Sequence, residues 1–170
     1  MSNLLSFEDF KKNVEEWARV RGIYDQSSEA HQKAKALEEI GEYLTAESDD
    51  ERMDAIGDIA VCIVNAANFC NADKLSLNCV DKEGDDCRYS SLPNITALIL
   101  GSSYVSALNY LRGFSLGFGG FNSCLTRAWN EIKDRKGMMV NGKYVKWESM
   151  SEEQREEFNS RDSGNVLIRQ

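Results

Sequence analysis

Proline and histidine are nearly absent from this chain of 170 residues, which has one of each, Pro93 and His31. Because proline interrupts helices, its scarcity leaves long stretches without a helix breaker, and the composition favours a helical protein. A run of about 18 apolar residues is also missing, so we expect no membrane-spanning segment and no membrane partner. The first residues, MSNLLSFEDFKKNVEEW, lack the layout of a signal peptide, which predicts a cytoplasmic protein.

The five cysteines contain no C-x-x-C pair, and a single histidine cannot complete a zinc site with them. Without an export signal we expect reduced thiols. Cys62 and Cys70 lie among apolar residues and are predicted to be small core residues. Cys79 and Cys87 flank a polar loop and could pair in an oxidising compartment, but the free form is the expectation.

The formal net charge is −8, which disfavours broad binding of nucleic acid through its phosphates, so we expect no nucleic-acid partner. With 42% hydrophobic residues, the chain suits one domain with one core, or one protomer whose core a partner completes.

Apolar residues recur at helical spacing, and the sequence predicts an all-α fold: an antiparallel bundle of four to five helices with a short C-terminal β-hairpin. Ser6 and either Ser48 or Asp49 are predicted helix caps, and Gly137 a helix end. The predicted helices cover residues 7–21, 29–46, 51–69, 95–112 and 122–137.

Three segments interrupt this pattern. Residues 71–93 are polar and predict a small hairpin or an ordered loop inserted into a helical domain that spans residues 1–147. SLGFGGF, 115–121, predicts a flexible connector and lacks the lysine of a phosphate-binding loop. MMVNGKYVKW, 138–147, places Asn-Gly between two short runs, which predicts a hairpin with a type I′ turn. Residues 148–170 are predicted to be a charged tail, a short helix with a frayed end.

The clearest candidate site is a set of carboxylates on two consecutive helices. Each residue advances by about 100° around the helix axis, so Glu38 and Glu42 lie about 40° apart on the first helix, and Glu39 lies about 60° from Glu42. On the second helix, Asp54 and Asp58 lie about 40° apart. Apolar stripes run beside them, and we predict these to be buried when the ESDD turn closes a helical hairpin. The stripes are Leu37, Ile40 and Leu44, and Ile56, Ile59 and Ile63. Both acidic stripes can then meet at one rim.

A solvated acidic surface is the simpler explanation, since most single glutamates on helices are exposed. Two observations favour a cation instead: no lysine stands four residues after these acidic residues to neutralise them, and like charges at that spacing repel. Carboxylates without histidine or thiolate neighbours suit Mg²⁺, with Mn²⁺ as an alternative. Helix geometry alone leaves both explanations open.

EEIGE (38–42) and DAIGD (54–58), followed by AWNEIKDRKGMMVNGKYVK (128–146), resemble the sequence blocks of the MazG-like, all-α nucleoside triphosphate pyrophosphohydrolases. The aromatic Trp17 followed by Arg-Gly at 21–22 also fits their first helix. The resemblance covers about residues 10–70 and 120–146. It implies Mg²⁺-dependent cleavage of a nucleoside triphosphate between the α- and β-phosphates, which gives a monophosphate and pyrophosphate. It also implies a homo-oligomer, a dimer or a dimer of dimers.

The resemblance assigns metal ligands to Glu39, Glu42 and Asp58. The family's glutamate three residues before the last aspartate is Ala55 here, and Asp54 is the expected substitute. A carboxylate that the metal does not use fully can orient or deprotonate the attacking water. Glu38, beside Glu39, is the candidate for this role, and Glu38 and Glu39 are the predicted catalytic residues.

Two groups of residues are predicted to bind the substrate. The block that matches the family's phosphate-contacting segment contains Asn130, Lys133, Arg135 and Lys136. Weaker candidates for contacts to the base or a phosphate are Trp17, Gln32, Lys35 and Asn65. Each has a structural alternative: the basic block complements the dipole of a helix end, and the others can be core or solvated residues.

A non-catalytic helical module is the alternative function. Its acidic rim would bind a structural cation or a basic protein partner, and Ala55 favours this hypothesis because it removes one expected ligand.

Overall fold

A computed structural model describes residues 4–70, 75 and 91–163. The described chain is mostly helical with one two-stranded antiparallel sheet, which confirms the predicted helical class and the C-terminal hairpin. The prediction of four to five helices is too low, because the described residues form eight. These are α1 (Phe7–Val20), α2 (Ile23–Gln26), α3 (Glu29–Thr45), α4 (Asp49–Phe69), α5 (Leu92–Leu100), α6 (Tyr104–Ser115), α7 (Phe121–Ile132) and α8 (Glu152–Ser163). The strands are β1 (Gly137–Val140) and β2 (Lys143–Lys146).

The predicted helix starts are set by side-chain caps. The Ser6 hydroxyl accepts a hydrogen bond from the Asp9 backbone N–H at 3.1 Å, at the start of α1. Ser48 caps α4 in a reciprocal capping box, since Glu51 N–H donates to the serine Oγ and the Glu51 carboxylate accepts from the Ser48 N–H, both at 3.2 Å. These caps satisfy N–H groups that the helix itself leaves without partners.

Helix α4 is the centre of the molecule and packs against α1, α3, α6 and α7. Its residues from Ala55 to Ala67 are buried, apart from the partly exposed Asp58. The three residues between α3 and α4 are too few for anything but a helical hairpin, and the two helices pack along each other. Any polar group on the inner faces of this hairpin is therefore drawn out of water.

The single helix predicted over 95–112 is wrong, since α5 and α6 are separated by a turn at Gly101–Ser103. Ser102 adopts a positive φ of 57° there. Its hydroxyl lies 2.5 Å from a Glu29 carboxylate oxygen and 2.8 Å from Lys33 Nζ, and the Tyr104 hydroxyl donates to the same oxygen at 2.6 Å. These contacts hold the turn against α3, and they depend on residues about 70 positions away.

Helix α7 ends at Ile132, not at Gly137 as predicted, so residues 133–136, three of which are basic, form a turn that leads into β1. The predicted Asn-Gly turn is confirmed: Val140 pairs with Lys143, and Asn141 and Gly142 have φ of 51° and 76°. Positive φ at both central residues is what a type I′ turn requires.

The segment predicted to be a charged tail is in part a packed element. Helix α8 buries Phe158, whose ring lies 5.7 Å from that of Trp147, in a second small core with Val20, Met138 and Met150. Phe158 is thus the buried side chain by which an otherwise polar helix packs on the rest of the molecule. Residues 164–170 lie outside the described part.

Cys62 is buried as predicted, but Cys70 is exposed, because it lies just beyond the end of α4 and past the core. Cys79 and Cys87 lie outside the described residues, as does most of the predicted 71–93 insertion. Within the described ranges, none of the helices combines the length and apolarity needed to cross a bilayer.

Candidate functional site

The buried face of α3 carries Glu39 towards α4. Gln32, Ala36 and Ile40 are buried on this face, and Glu39 lies among them at helical spacing, half-buried. The predicted stripe of Leu37, Ile40 and Leu44 is therefore wrong in two of three positions. Leu37 and Leu44 are 38% and 68% exposed, because small residues such as Ala36 allow close packing of α3 on α4 through a neighbouring face.

Glu39 and Asp58 form the electrostatic centre of the site. Burial raises the pKa of Asp58 to about 7, and the charges of Glu39 and Asp54 add to this rise. Burial likewise raises the pKa of Glu39 to about 7, with a further rise from the neighbouring Glu42 and an opposing effect of Lys35. Two carboxyl groups that repel each other in a partly dry setting are stabilised by any cation that reaches them.

Glu38 and Glu42 lie on the outer side of Glu39 and Asp58, and we call these four residues the acidic cluster. Glu38 is exposed and forms an ion pair with Lys35, whose pKa the contact raises. Glu42 is also exposed, and its carboxylate contacts that of Glu39. The candidate water-orienting residue and one candidate metal ligand, Glu42, are thus in contact with solvent, whereas Glu39 and Asp58 are partly buried.

Asp54 is close to the cluster but faces a different neighbour. Burial raises its pKa, and Arg127 and Arg135 oppose the rise. Asp54 Oδ1 is buried without a hydrogen bond, and Arg127 Nε lies 3.6 Å from it. The same guanidinium reaches Asp50 Oδ1 at 3.4 Å. Sequence analysis missed Arg127, although its position one turn before Asn130 on the same helix was an available signal.

The predicted phosphate-binding block separates into two parts. Arg135 forms an ion pair with Glu131 and lies close enough to Asp54 and Asp58 to oppose the rise in their pKa values. Lys136, which is exposed, instead has its ammonium 5.3 Å from the centre of the Trp147 ring, at the surface of the C-terminal core. Asn130 and Lys133, both exposed, share a face as predicted, since Lys133 Nζ donates to Asn130 Oδ1 at 2.9 Å.

Buried Arg21 holds the turn that carries Arg135. Its Nε donates to the Arg135 carbonyl at 3.1 Å, its Nη1 donates to the Trp17 carbonyl at 3.1 Å, and its guanidinium lies 4.4 Å from the Trp17 ring. The Arg-Gly pair singled out in the sequence thus has a positioning role between α1 and the end of α7.

The weaker substrate candidates already have partners inside the protein. Trp17 Nε1 donates to the Ile132 carbonyl at 2.8 Å. Gln32 Nε2 donates to Ser27 Oγ at 3.0 Å. Asn65 Oδ1 accepts from the Tyr24 hydroxyl at 2.9 Å. These bonds match the structural alternatives, and only Lys35 among the four contacts the acidic cluster.

In the described residues, no three carboxylate, imidazole or thiol groups converge closely enough to hold a metal ion as they stand. The chemistry of the donors nevertheless fits a divalent cation such as Mg²⁺. They are hard oxygen atoms, two of the carboxyl groups have a pKa raised to about 7, and Asp54 keeps one buried oxygen without a hydrogen bond. Side-chain rotation of Glu39, Glu42 and Asp58 is the adjustment that binding would require.

Comparisons of the chain with protein-family models, with curated proteins and with solved structures give no match.

Proposed function

We propose that this chain is a cytoplasmic, MazG-like nucleoside triphosphate pyrophosphohydrolase. It depends on Mg²⁺, or Mn²⁺ in its place, and cleaves its substrate to a nucleoside monophosphate and pyrophosphate. The observation that carries the proposal is the proximity of Glu39 on α3 to Asp58 on α4: burial raises both pKa values to about 7, and the charge of Glu39 adds to the rise at Asp58. A partly buried acidic pair destabilises the fold unless it binds something positive, and such pairs are typical of functional sites.

The charge distribution around the pair suits a triphosphate. Glu39, Glu42 and Asp58 would hold the cation, which neutralises phosphate oxygens and lowers the pKa of a bound water. Glu38, exposed at the outer edge, would orient that water. Arg135 stands in the electrostatic field of Asp54 and Asp58 from the α7 side, where it can contact the phosphates, and Asn130 and Lys133 extend the same polar surface.

Release of pyrophosphate from purified protein tests the proposal. Wild-type protein with millimolar Mg²⁺ should release pyrophosphate from at least one of the common ribo- or deoxyribonucleoside triphosphates. Glu39→Gln and Asp58→Asn should lower the rate at least about a hundredfold, since even the loss of a residue that only supports a metal ligand costs about 10–100-fold. Glu156→Gln, on the exposed face of α8, is the matched control. If no triphosphate yields pyrophosphate with either Mg²⁺ or Mn²⁺, the enzyme proposal fails.

A non-catalytic module remains the second candidate, and Ala55 together with the ion pair between Asp54 and Arg127 favours it. In that case the cluster binds a structural cation or a basic partner. Protein that binds Mn²⁺ and gains thermal stability from it, without any pyrophosphate release, would support this candidate.

We also propose that the chain assembles as a dimer or a dimer of dimers. Exposed leucines on α3 and elsewhere are the supporting feature, since a second copy that covered their apolar surface would stabilise the assembly. Those with more than half of their surface exposed are Leu4, Leu44, Leu100 and Leu116. A monomeric mass by light scattering at micromolar concentration would contradict this.

A further inference from the structure

A surface cavity of about 250 Å³ lies where the start of α1, the end of α6 and the start of α7 meet. Its apolar lining comes from Leu4, Phe7, Leu116 and Phe121. The rings of Phe7 and Phe121 are buried and stack with their centres 6.1 Å apart, so they form the inner wall. Leu4 and Leu116 are 54% and 71% exposed, and they leave apolar surface in water that an occupant would cover. No residue of the acidic cluster lines this cavity.

Arg112, in the last turn of α6, is the basic residue in the lining. It is partly buried, and its guanidinium has no hydrogen bond, ion pair or aromatic contact among the described residues. Every other arginine in the described ranges pairs with a carboxylate or donates to a backbone carbonyl. Because a guanidinium keeps its charge when it is drawn partly out of water, an anion in the cavity would supply the partner that the protein does not.

The lining also favours a particular charge and size of occupant. No acidic side chain belongs to the described residues that line the cavity, although the chain as a whole has a formal net charge of −8. A carboxylate matches the fork of N–H donors on a guanidinium, and apolar walls favour an anion that carries an apolar body. Pockets for drug-sized ligands have about 300–1,000 Å³, so this cavity suits a smaller molecule.

We propose that this cavity binds a small monocarboxylate with an apolar body. The carboxylate pairs with Arg112, and the apolar part lies between Leu4 and Leu116, against the inner wall. This binding goes beyond the proposed function and does not depend on it, because the acidic cluster takes no part in it. The rival explanation is that Arg112 only complements the negative end of α6, which requires no ligand.

Titration of the isotopically labelled full chain with octanoate, followed by two-dimensional NMR of the backbone amides, separates the two explanations. Octanamide has nearly the same shape without the charge, and inorganic phosphate has the charge without the apolar tail. The amide signals of Gly119 and Gly120, which line the cavity, should shift as octanoate binds. Octanoate should bind at least about tenfold more tightly than either of the other probes, because only octanoate both pairs with the guanidinium and covers the leucines.

Three variants test the named residues. Arg112→Gln should bind octanoate and octanamide equally, and octanoate at least about tenfold more weakly than wild type does. Leu116→Asp should weaken octanoate binding at least about tenfold, and it should keep the fold, as circular dichroism would show, because Leu116 lies mostly in solvent. Lys143→Gln removes a positive charge from an exposed position on β2 outside the cavity, and this matched control should bind octanoate like wild type.

The proposal is overturned if octanoate at millimolar concentration leaves the signals of Gly119 and Gly120 unmoved. Equal affinity of wild type and Arg112→Gln for octanoate would also overturn it, as would phosphate that binds as tightly as octanoate. Light scattering covers one more outcome. A dimer that Leu116→Asp converts to a monomer, and that octanoate does not bind, would show that a second copy of the chain covers the cavity instead.

Discussion

Replacement of Asp58 with asparagine should stabilise the metal-free protein at alkaline pH and do so much less at acidic pH. Burial raises the pKa of Asp58 from its ordinary value of 3.8 to about 7. A carboxyl group whose pKa is raised in the folded state contributes fully to stability below pH 3.8 in its neutral form. That contribution is lost as the pH rises to 7, because the folded state resists the ionisation that the unfolded chain undergoes.

The size of the effect follows from the same pKa values. A rise in the pKa of Asp58 from 3.8 to about 7 lowers the free energy of unfolding above pH 7 by about 4 kcal/mol, relative to its value at low pH. About 2.5 kcal/mol of this loss falls between pH 5 and pH 8. Because Asp58 retains some exposure, we expect solvent to screen part of this. The advantage of Asp58→Asn over wild type should therefore grow by about 2 kcal/mol between pH 5 and pH 8.

Urea unfolding in the presence of a chelator, followed by circular dichroism at pH 5 and pH 8, measures this difference. Asp134→Asn, in the exposed turn after α7, removes a surface charge and is the matched control. Mg²⁺ added at pH 8 should recover the lost stability of wild type but not change Asp58→Asn, since a ligand of the folded state stabilises only the protein that binds it. An equal difference between variant and wild type at both pH values, or an Asp58→Asn protein that is less stable at pH 8, would refute the argument.

Three further predictions concern the fold that holds the site. Gly57→Ala should lower the free energy of unfolding by about 2 kcal/mol or more, because its Cβ overlaps α7, whereas Gly41→Ala, with no atom within 4 Å of the added Cβ, should raise it by about 0.5–1 kcal/mol. Equal melting temperatures for the two variants would contradict this. Phe158→Ala should destabilise the protein by about 3 kcal/mol in urea, and an unchanged midpoint would show that α8 does not pack as described. Tyr24→Phe removes the hydrogen bond to buried Asn65 and should reduce stability by about 1 kcal/mol; a variant as stable as wild type in thermal unfolding would argue against that bond.

The acidic cluster shows which features of the candidate site helix periodicity can predict and which it cannot. The spacing of Glu39 and Asp58 on consecutive helices was sufficient to predict that they approach each other, and the effect of Glu39 on the pKa of Asp58 agrees with it. Periodicity did not identify the buried face of α3. Leu37 and Leu44 are more apolar than Ala36, yet Ala36 is buried, because its small side chain lets α3 pack closely on α4.

Sequence analysis did not predict the contacts of Arg127 or the turn at Ser102, because both depend on residues that are distant in the chain. The partners of Arg127 are Asp50 and Asp54, more than 70 positions earlier in the chain, and its reach depends on the close contact of two helices at Gly57. The break between α5 and α6 likewise depends on Glu29 and Lys33, which bond to Ser102 from α3. Neither residue has a local pattern that predicts its partner.

The sequence by itself determined the features that arise within a few residues: the caps at Ser6 and Ser48, the Asn141-Gly142 turn, and acidic stripes on two adjoining helices. These depend on local hydrogen bonds and backbone preferences, which neighbouring residues supply. Only the tertiary structure decided which of those carboxylates are buried and which positively charged side chains lie beside them. Burial and charge pairing depend on distance in space, and the chain sets that distance only when α3 and α7 pack against α4.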